Sequence, residues 1–502
     1  MVPPGKAGLL GLLCLLAVFD SGCLLDNGML FPRESSSREL KELNGLWSFR
    51  ADRSPNRKQG FERAWYKQRL AETGPVIEMP VPASYNDITQ DATLRNFIGW
   101  VWYEREVVLP ARWLADETTR VVLRVGSAHY YAMGWVNGVK VLEHNGGHLP
   151  FEAEISRIIQ VRLMAADERA THEDVYTLPV GIRTVKVTST QFLINNKPFY
   201  FHGVNKHEDS DIRGKGLDWP LVVKDFNLLK WLGANSFRTS HYPYAEEILQ
   251  MCDRHGIVVI DECPGVGIKD IRSFGNNSLG HHLDVMDELV RRDKNHPSVV
   301  MWSVANEPAA EMPPAEFYFK ILIRHTKGLD PTRPVTYITA SNFARDKGAP
   351  YVDVLCVNSY FSWYHDPGHT EVIPIQLNTQ FENWYGKYQK PIIQSEYGAD
   401  AVSGLHSDPP MMFTEEYQKV VLQNYHDVFD QKRKQYVVGE LIWNFADFMT
   451  AQGLIRVVGN KKGIFTRQRQ PKAAAFLLKD RYWRLANETG TLAPWTKYQG
   501  WP

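Results

Sequence analysis

Cysteine is scarce in this chain. Five occur in 502 residues, at positions 14, 23, 252, 263 and 356, with no CxxC pair and no repeating interval. That excludes a disulfide-framed fold and a thiolate zinc site of ordinary spacing. Net charge is missing too, since 57 Lys and Arg balance 57 Asp and Glu. No global field draws the chain to nucleic acid or acidic polymers, so an anionic ligand must be met locally. Neither a Walker loop nor a strand-led GxGxxG is present, which removes the common nucleotide cradles. His207, Glu208 and Asp209 are adjacent in "NKHED", which is not metal-ligand spacing. No metal or cofactor is called for, and no apolar run reaches the ~20 residues that span a bilayer.

The N-terminus carries Lys6 and then an apolar run from Ala7 to Phe19, followed by Ser21 and Gly22. This reads as a secretory signal, residues 1–22, cut near residue 22. In that context the sequons at Asn276 and Asn487 read as glycosylation acceptors. The other cysteines read mostly as buried thiols. Apolar content of 44% and charged content of 23% are globular, and the length suits two or three domains. Most of the 15 tryptophans should be core.

Short strand signals dominate residues 26–160, among them "GWVWYEREVVLP" and "TRVVLRVGSAHYYAMGWVNG", which predicts a β-sandwich. From about residue 195 apolar strands alternate with amphipathic helices. The strand candidates are "FYFHGVN", "ANSFRTSHYP", "GIVVIDECPG", "VVMWSVANEP", "PVTYITA", "VDVLCVNSY", "PIIQSEYGA" and "GELIWNFADF". Eight such units over about 290 residues predict a TIM barrel, whose chemistry sits at the C-terminal strand ends. Those ends are unusually polar. Glu307 closes the fourth strand and Glu396 the seventh, and two carboxylates across a barrel mouth suit glycoside hydrolysis. The competing reading is a pair of structural carboxylates. In the hydrolase reading Glu396 ionises, and its charge and the apolar walls hold Glu307 protonated as general acid. Asn306 can donate to the hydroxyl beside the reacting carbon, Tyr360 can orient Glu396, and His241 and Trp443 can supply a polar contact and an aromatic wall. Asn460 and Lys462, in "GNKKG", can cradle a small anion. A solvated basic loop is the alternative there.

Taken together, "NSFRTSHYPY" (235–244) and "DKNHPSVVMWSVANE" (293–307) resemble the two signatures of glycoside hydrolase family two. "FHGVNKHED", "NSYFSWYHD", "IIQSEYGAD", "GELIWNFADFMT" and "GNKKGIFTRQRQPK" resemble its lysosomal members, which remove terminal β-D-glucuronate. The resemblance implies Glu307 as acid/base, Glu396 as nucleophile and Tyr360 as its support. It implies that Asn306, His241, Tyr364 and Trp443 line the sugar site and that Asn460 and Lys462 hold the glucuronate carboxylate. It further implies a glucuronide or glycosaminoglycan substrate, a homotetramer, a lysosomal location and no cofactor. The implied multidomain order is a jelly roll, an immunoglobulin-like sandwich and a (β/α)8 barrel. Here the jelly roll (23–160) looks truncated, and 161–194 holds a seam and only a remnant of the sandwich. The barrel spans 195–488, and the tail 489–502 diverges. An inactive shortened form, retained in the endoplasmic reticulum if it misfolds, is the competing reading.

Overall fold

A computed structural model describes residues 30–88, 91–115, 119–156, 181–453, 456 and 458–490. The signal segment, Cys14, Cys23, most of the seam and the tail from 491 lie outside the described residues.

The second half of the chain closes into a parallel eight-stranded barrel, each predicted strand occupying its place in order. The strands are β11 (Phe201–Asn205), β12 (Ser236–Arg238), β13 (Val258–Glu262), β14 (Val299–Asn306), β15 (Val335–Thr339), β16 (Leu355–Asn358), β17 (Ile392–Glu396) and β18 (Val437–Ile442). β11 pairs with β18 to close the ring. All residues of β14 are buried, because helices cover its outer face and side chains fill the inner one. The covering helices are α1 (Trp219–Leu232), α2 (Glu246–His255), α3 (Asn276–Asp293), α4 (Ala315–Leu329), α5 (Ile373–Tyr388), α6 (Glu415–Lys432) and α7 (Ala473–Thr489). α1 stops at Gly233 and α2 at Gly256, both left-handed (φ +74° and +66°), a conformation open to glycine at little cost.

No helix joins β15 to β16. Asp346 organises that connection instead: its carboxylate accepts from Thr339 Oγ1 (2.7 Å), Gly348 N (3.0 Å), Ala349 N (2.9 Å) and the Tyr337 hydroxyl. Buried turns persist only when their polar groups are paired in this way.

A small antiparallel sheet plugs the barrel floor. It comprises β8 (Val185–Val187), β9 (Phe192–Ile194) and β10 (Lys197–Pro198). Its tight turn is Asn195-Asn196, both at positive φ (52° and 62°), as a two-residue hairpin loop requires. Phe192 meets Phe201 edge-on at 4.9 Å and packs with Ile260, Val300, Met301, Ile338 and Ile393 in one fully buried cluster. Arg183 fastens the sheet by donating to the carbonyls of Pro297 (2.9 Å) and Val299 (2.6 Å).

The N-terminal region is built of smaller sheets: β1 (Gly45–Ala51) between β2 (Ile77–Val81) and β3 (Val101–Glu104), β4 (Val122–Val125) with β7 (Phe151–Glu154), and β5 (Tyr131–Val136) with β6 (Val139–Asn145). All pairings are antiparallel. Its core is aromatic, with Trp65, Trp102, Trp135, Tyr66 and Phe61 in contact. Arg124 ties it to the barrel, pairing with Glu152 of its own region and Glu246 of α2 (3.2 and 2.7 Å). His144 meets Glu288 at 3.0 Å, and His148 stacks on Tyr242 at 4.8 Å.

Cys252, Cys263 and Cys356 are free, buried thiols. Asn276 and Asn487 are both exposed, at the start of α3 and in the last turn of α7. Among the described residues no helix is long and apolar enough to cross a membrane, and no cluster of three His, Cys, Asp or Glu suits a metal.

Candidate active site

Arg238 organises the barrel mouth. Its guanidinium is wholly buried and forks onto Glu262 through Nε (2.8 Å) and Nη2 (3.0 Å). Nη1 donates to Asn205 Oδ1 (2.8 Å) and to Glu396 Oε1 (2.9 Å). Nη2 also donates to Asn306 Oδ1 (2.7 Å) and lies 2.9 Å from His241 Nδ1. Five strand ends thus converge on one planar cation, and two buried carboxylates share its charge. Bonds of this type are the strong ones.

Glu396 ends β17 with its side chain 5% exposed. Arg238 holds Oε1, and the Tyr360 hydroxyl donates to Oε2 at 2.5 Å. Both oxygens are therefore fixed. Burial pushes this carboxyl up from the ordinary range; Arg238 opposes the rise and Glu307 adds to it.

Glu307 follows β14 with φ +43°, and its N–H bonds the carbonyl of Ile338 at 2.8 Å. That turn takes the side chain out of the strand, where it is 30% exposed. Asn358 Nδ2 donates to its Oε1 (2.9 Å), and Asn358 stands opposite Glu396 in the β16–β17 register. Glu396 is the deeper of the two carboxyls.

Asn306 has its amide oxygen taken by Arg238, which turns its NH2 away from that cation. His241 lies 3.2 Å from Glu262 Oε1 and stacks on Trp443 at 5.0 Å and 18°, forming one wall. Tyr364 meets Tyr360 edge-on at 5.2 Å.

Tyr364 also leads to a second charged cluster. Lys462 is fully buried. Its ammonium pairs with Asp400, lies 3.1 Å from the Tyr364 hydroxyl, and sits over the rings of Tyr364 (4.6 Å) and Trp363 (4.7 Å). Burial lowers the Lys462 ammonium to about 8, against the pull of Asp400. Asn460 Oδ1 accepts from the Lys462 N–H at 2.9 Å, so the two residues form one loop unit. Arg456 reaches the same Asp400 at 3.4 Å and bonds the Tyr364 hydroxyl, with its side chain 23% exposed. Two cations face one carboxylate, so the cluster carries one uncompensated positive charge.

All nine residues singled out in the sequence fall on these two adjoining clusters. Sequence reasoning missed Asn205, Arg238, Glu262, Asn358, Asp400 and Arg456 as members. Five of them lie at or next to quoted strand ends ("HGVN", "FRTS", "DEC", "VNSY", "YGAD"), and position there was the available signal.

Two profiles match the chain: "Glycosyl hydrolases family 2, TIM barrel domain" over residues 185–487 and "Glycosyl hydrolases family 2, sugar binding domain" over residues 40–163. The chain belongs to glycosyl hydrolases family 2. As a family 2 member it has well-matched relatives. It is similar to the β-glucuronidase of Mus musculus, 56% identical over 608 residues, covering 93% of this chain and 94% of the relative. Since 608 positions exceed the 502 residues here, that relative carries roughly a hundred or more residues without a counterpart. Among solved structures it is similar to a β-glucuronidase of an uncultured Clostridium species (40% identity, TM-score 0.85, 91% and 100% of the two chains). A Ruminococcus gnavus β-glucuronidase in complex with D-glucuronic acid is also similar (30% identity, TM-score 0.81, 90% and 99% of the two chains).

Proposed function

We propose that this family 2 hydrolase releases terminal β-D-glucuronate by a retaining double displacement. Ionised Glu396 attacks the anomeric carbon, the glycosidic bond breaks, and its electron pair goes to the leaving oxygen as Glu307 supplies the proton. Glu307, now a carboxylate, takes a proton from water. That water's oxygen attacks the same carbon, and the glycosyl–Glu396 ester bond breaks. Arg238 and Tyr360 hold the nucleophile's two oxygens, and Asn306 donates to the neighbouring sugar hydroxyl. His241 and Trp443 wall the sugar. Its carboxylate meets Arg456, Tyr364 and Asn460, with the Lys462 charge beneath them.

One observation carries the choice of an acidic sugar: the uncompensated positive charge of Lys462 and Arg456 over Asp400, next to the nucleophile's own tyrosine. Lys462 is buried and paired with Asp400, so the excess charge lies at the part-exposed Arg456, where an incoming anion can reach it. The similarity to β-glucuronidases supports the same substrate.

The matched segments support a jelly-roll-like unit over 23–160 and a barrel over 195–488, with the lost stretch falling at the seam 161–194. The Arg124–Glu246 and His144–Glu288 contacts support an N-terminal unit that stays docked despite that loss, and hence an active chain. The signal segment and exposed sequons support passage through the secretory pathway to the lysosome; a homotetramer rests on the resemblance alone. The test is turnover of 4-nitrophenyl β-D-glucuronide against the β-D-glucoside and β-D-galactoside at acid pH. The wild type should prefer the glucuronide, and Glu396→Gln should abolish turnover. Soluble, folded wild type without glucuronide turnover would sink the proposal.

A further inference from the structure

Besides Arg238, Lys462 and Arg456 the site has a fourth cation, on the loop after β13. Lys269 Nζ donates to the main-chain oxygen of Glu307 and lies 3.8 Å from its Oε2, with the lysine side chain 57% exposed. The position is built. The loop after β13 is stitched to the loop after β14 by Asn306 N–H to Gly265 O (3.0 Å) and Ala309 N–H to Ile268 O (2.7 Å), and Lys269 N–H closes onto Gly267 O (2.8 Å). The two loops therefore form one rim, and Lys269 moves with the acid. The nearest carboxylate on its own loop, Asp270, is taken by Arg272 at 2.8 Å.

We propose that Lys269 is the specificity residue for the leaving group and recognises an anionic substituent on it, a sulfate or a carboxylate. The inference rests on the reading of Glu307 as the acid. A group that protonates the leaving oxygen must lie against the leaving group, and so must a cation fixed beside it. The sugar's own carboxylate is met at the other cluster, beyond Glu396 and Tyr360, and cannot also engage Lys269. The site thus offers one cationic position to each side of the scissile bond. A flexible four-carbon stem with an exposed ammonium can turn from Glu307 to a substrate anion without moving the loop.

The experiment compares kcat/KM for three aryl β-D-glucuronides of matched leaving-group acidity: one neutral, one sulfonated and one carboxylated on the ring. The enzymes are the full chain and its Lys269→Ala, Lys269→Arg and Lys269→Glu variants. The ratio of anionic to neutral substrate should fall about two- to fivefold in Lys269→Ala, the scale of a partly exposed ion pair. It should return in Lys269→Arg and fall further in Lys269→Glu. If only one of the two anionic substrates responds, that one is the group recognised. An unchanged ratio for both overturns the inference alone, as does an equal fall on all three substrates, which marks Lys269 as a support for Glu307. Turnover of none of them by the wild type overturns the glucuronidase reading and this inference with it.

Discussion

Lys462→Met is the sharpest probe of the charged cluster, because it removes a cation and keeps most of the buried stem. The wild-type cluster has charge +1 from Lys462, Arg456 and Asp400. The substitution brings it to zero. A charge about 5 Å from the sugar carboxylate, at an effective dielectric near 20, contributes roughly 3 kcal/mol. Part of that only offsets lost hydration, so about 1.5–3 kcal/mol should remain, or a 10- to 150-fold loss of kcat/KM on a glucuronide. The matching glucoside has no carboxylate, so its kcat/KM should change by the packing effect alone. The quantity to measure is therefore the glucuronide-to-glucoside ratio. Asp400→Asn raises the cluster to +2 and the double variant restores +1. If net charge decides, the ratio in the double variant lies close to wild type and far above Lys462→Met. The pH dependence gives an independent check. Lys462, lowered by burial to about 8, is charged below that pH and neutral above it. Glucuronide KM should therefore rise as pH passes about 8, while glucoside KM does not follow. A wild-type ratio in Lys462→Met would show the carboxylate lies elsewhere. A double variant as poor as Lys462→Met would show a specific Lys462 contact, not the field.

Glu307→Gln should lose about 10²–10⁴-fold on an alkyl glucuronide, the usual worth of general acid catalysis. On a 2,4-dinitrophenyl glucuronide, whose leaving group needs no proton, a glycosyl–Glu396 adduct should accumulate, visible by intact-protein mass spectrometry; its absence would refute the assignment. Tyr360→Phe removes a donor that favours ionised Glu396, so the Glu396 carboxyl rises further. Activity needs the ionised form, so the acid limb of the kcat/KM profile should move to higher pH; an unmoved limb would refute the contact. Phe192→Ala opens a cavity in the barrel floor and should cost about 3–5 kcal/mol of stability, read by thermal unfolding. Glucuronide KM should hold, because the floor lies at the end of the barrel away from the site.

The eight barrel strands were legible because each is covered on both faces and so reads as an unbroken apolar run. The missing helix between β15 and β16 was not, since it depends on Asp346 satisfying backbone groups from both sides of a turn. The two carboxylates were legible because each interrupts an apolar run at a strand end. Arg238 escaped for the opposite reason. In "FRTS" it looks like an ordinary charge at a strand terminus. What buries it is Asn205, Glu262, Asn306 and Glu396, contributed by four other strands up to 158 residues away. Asp400 and Arg456 were hidden likewise, since neither signals in sequence that Lys462 will lie between them. Local pattern identifies groups that break a rule of their own segment. It cannot identify groups whose partners assemble only when the barrel closes.

The same distinction bears on the shortened middle of the chain. The carboxylate of Glu396 is held by Arg238 and Tyr360, and Lys462 is held by Asp400 and Tyr364, all within the barrel. The floor is sealed by a hairpin that begins at Val185 and is fastened by Arg183, both at the C-terminal end of the stretch 161–194. Loss of residues before that point therefore leaves the charge network and the barrel's packing with all their partners. What the loss can touch is the N-terminal unit, whose sheets hold two or three strands among the described residues and which meets the barrel at Arg124–Glu246, His144–Glu288, Tyr130–His281, Asp87–Arg467 and His148–Tyr242. One of those, His148 on Tyr242, lies one residue from His241. One short path from that unit to the site therefore runs through Tyr242 to the neighbouring His241 and its stack on Trp443, residues that wall the sugar and do not hold the nucleophile's oxygens.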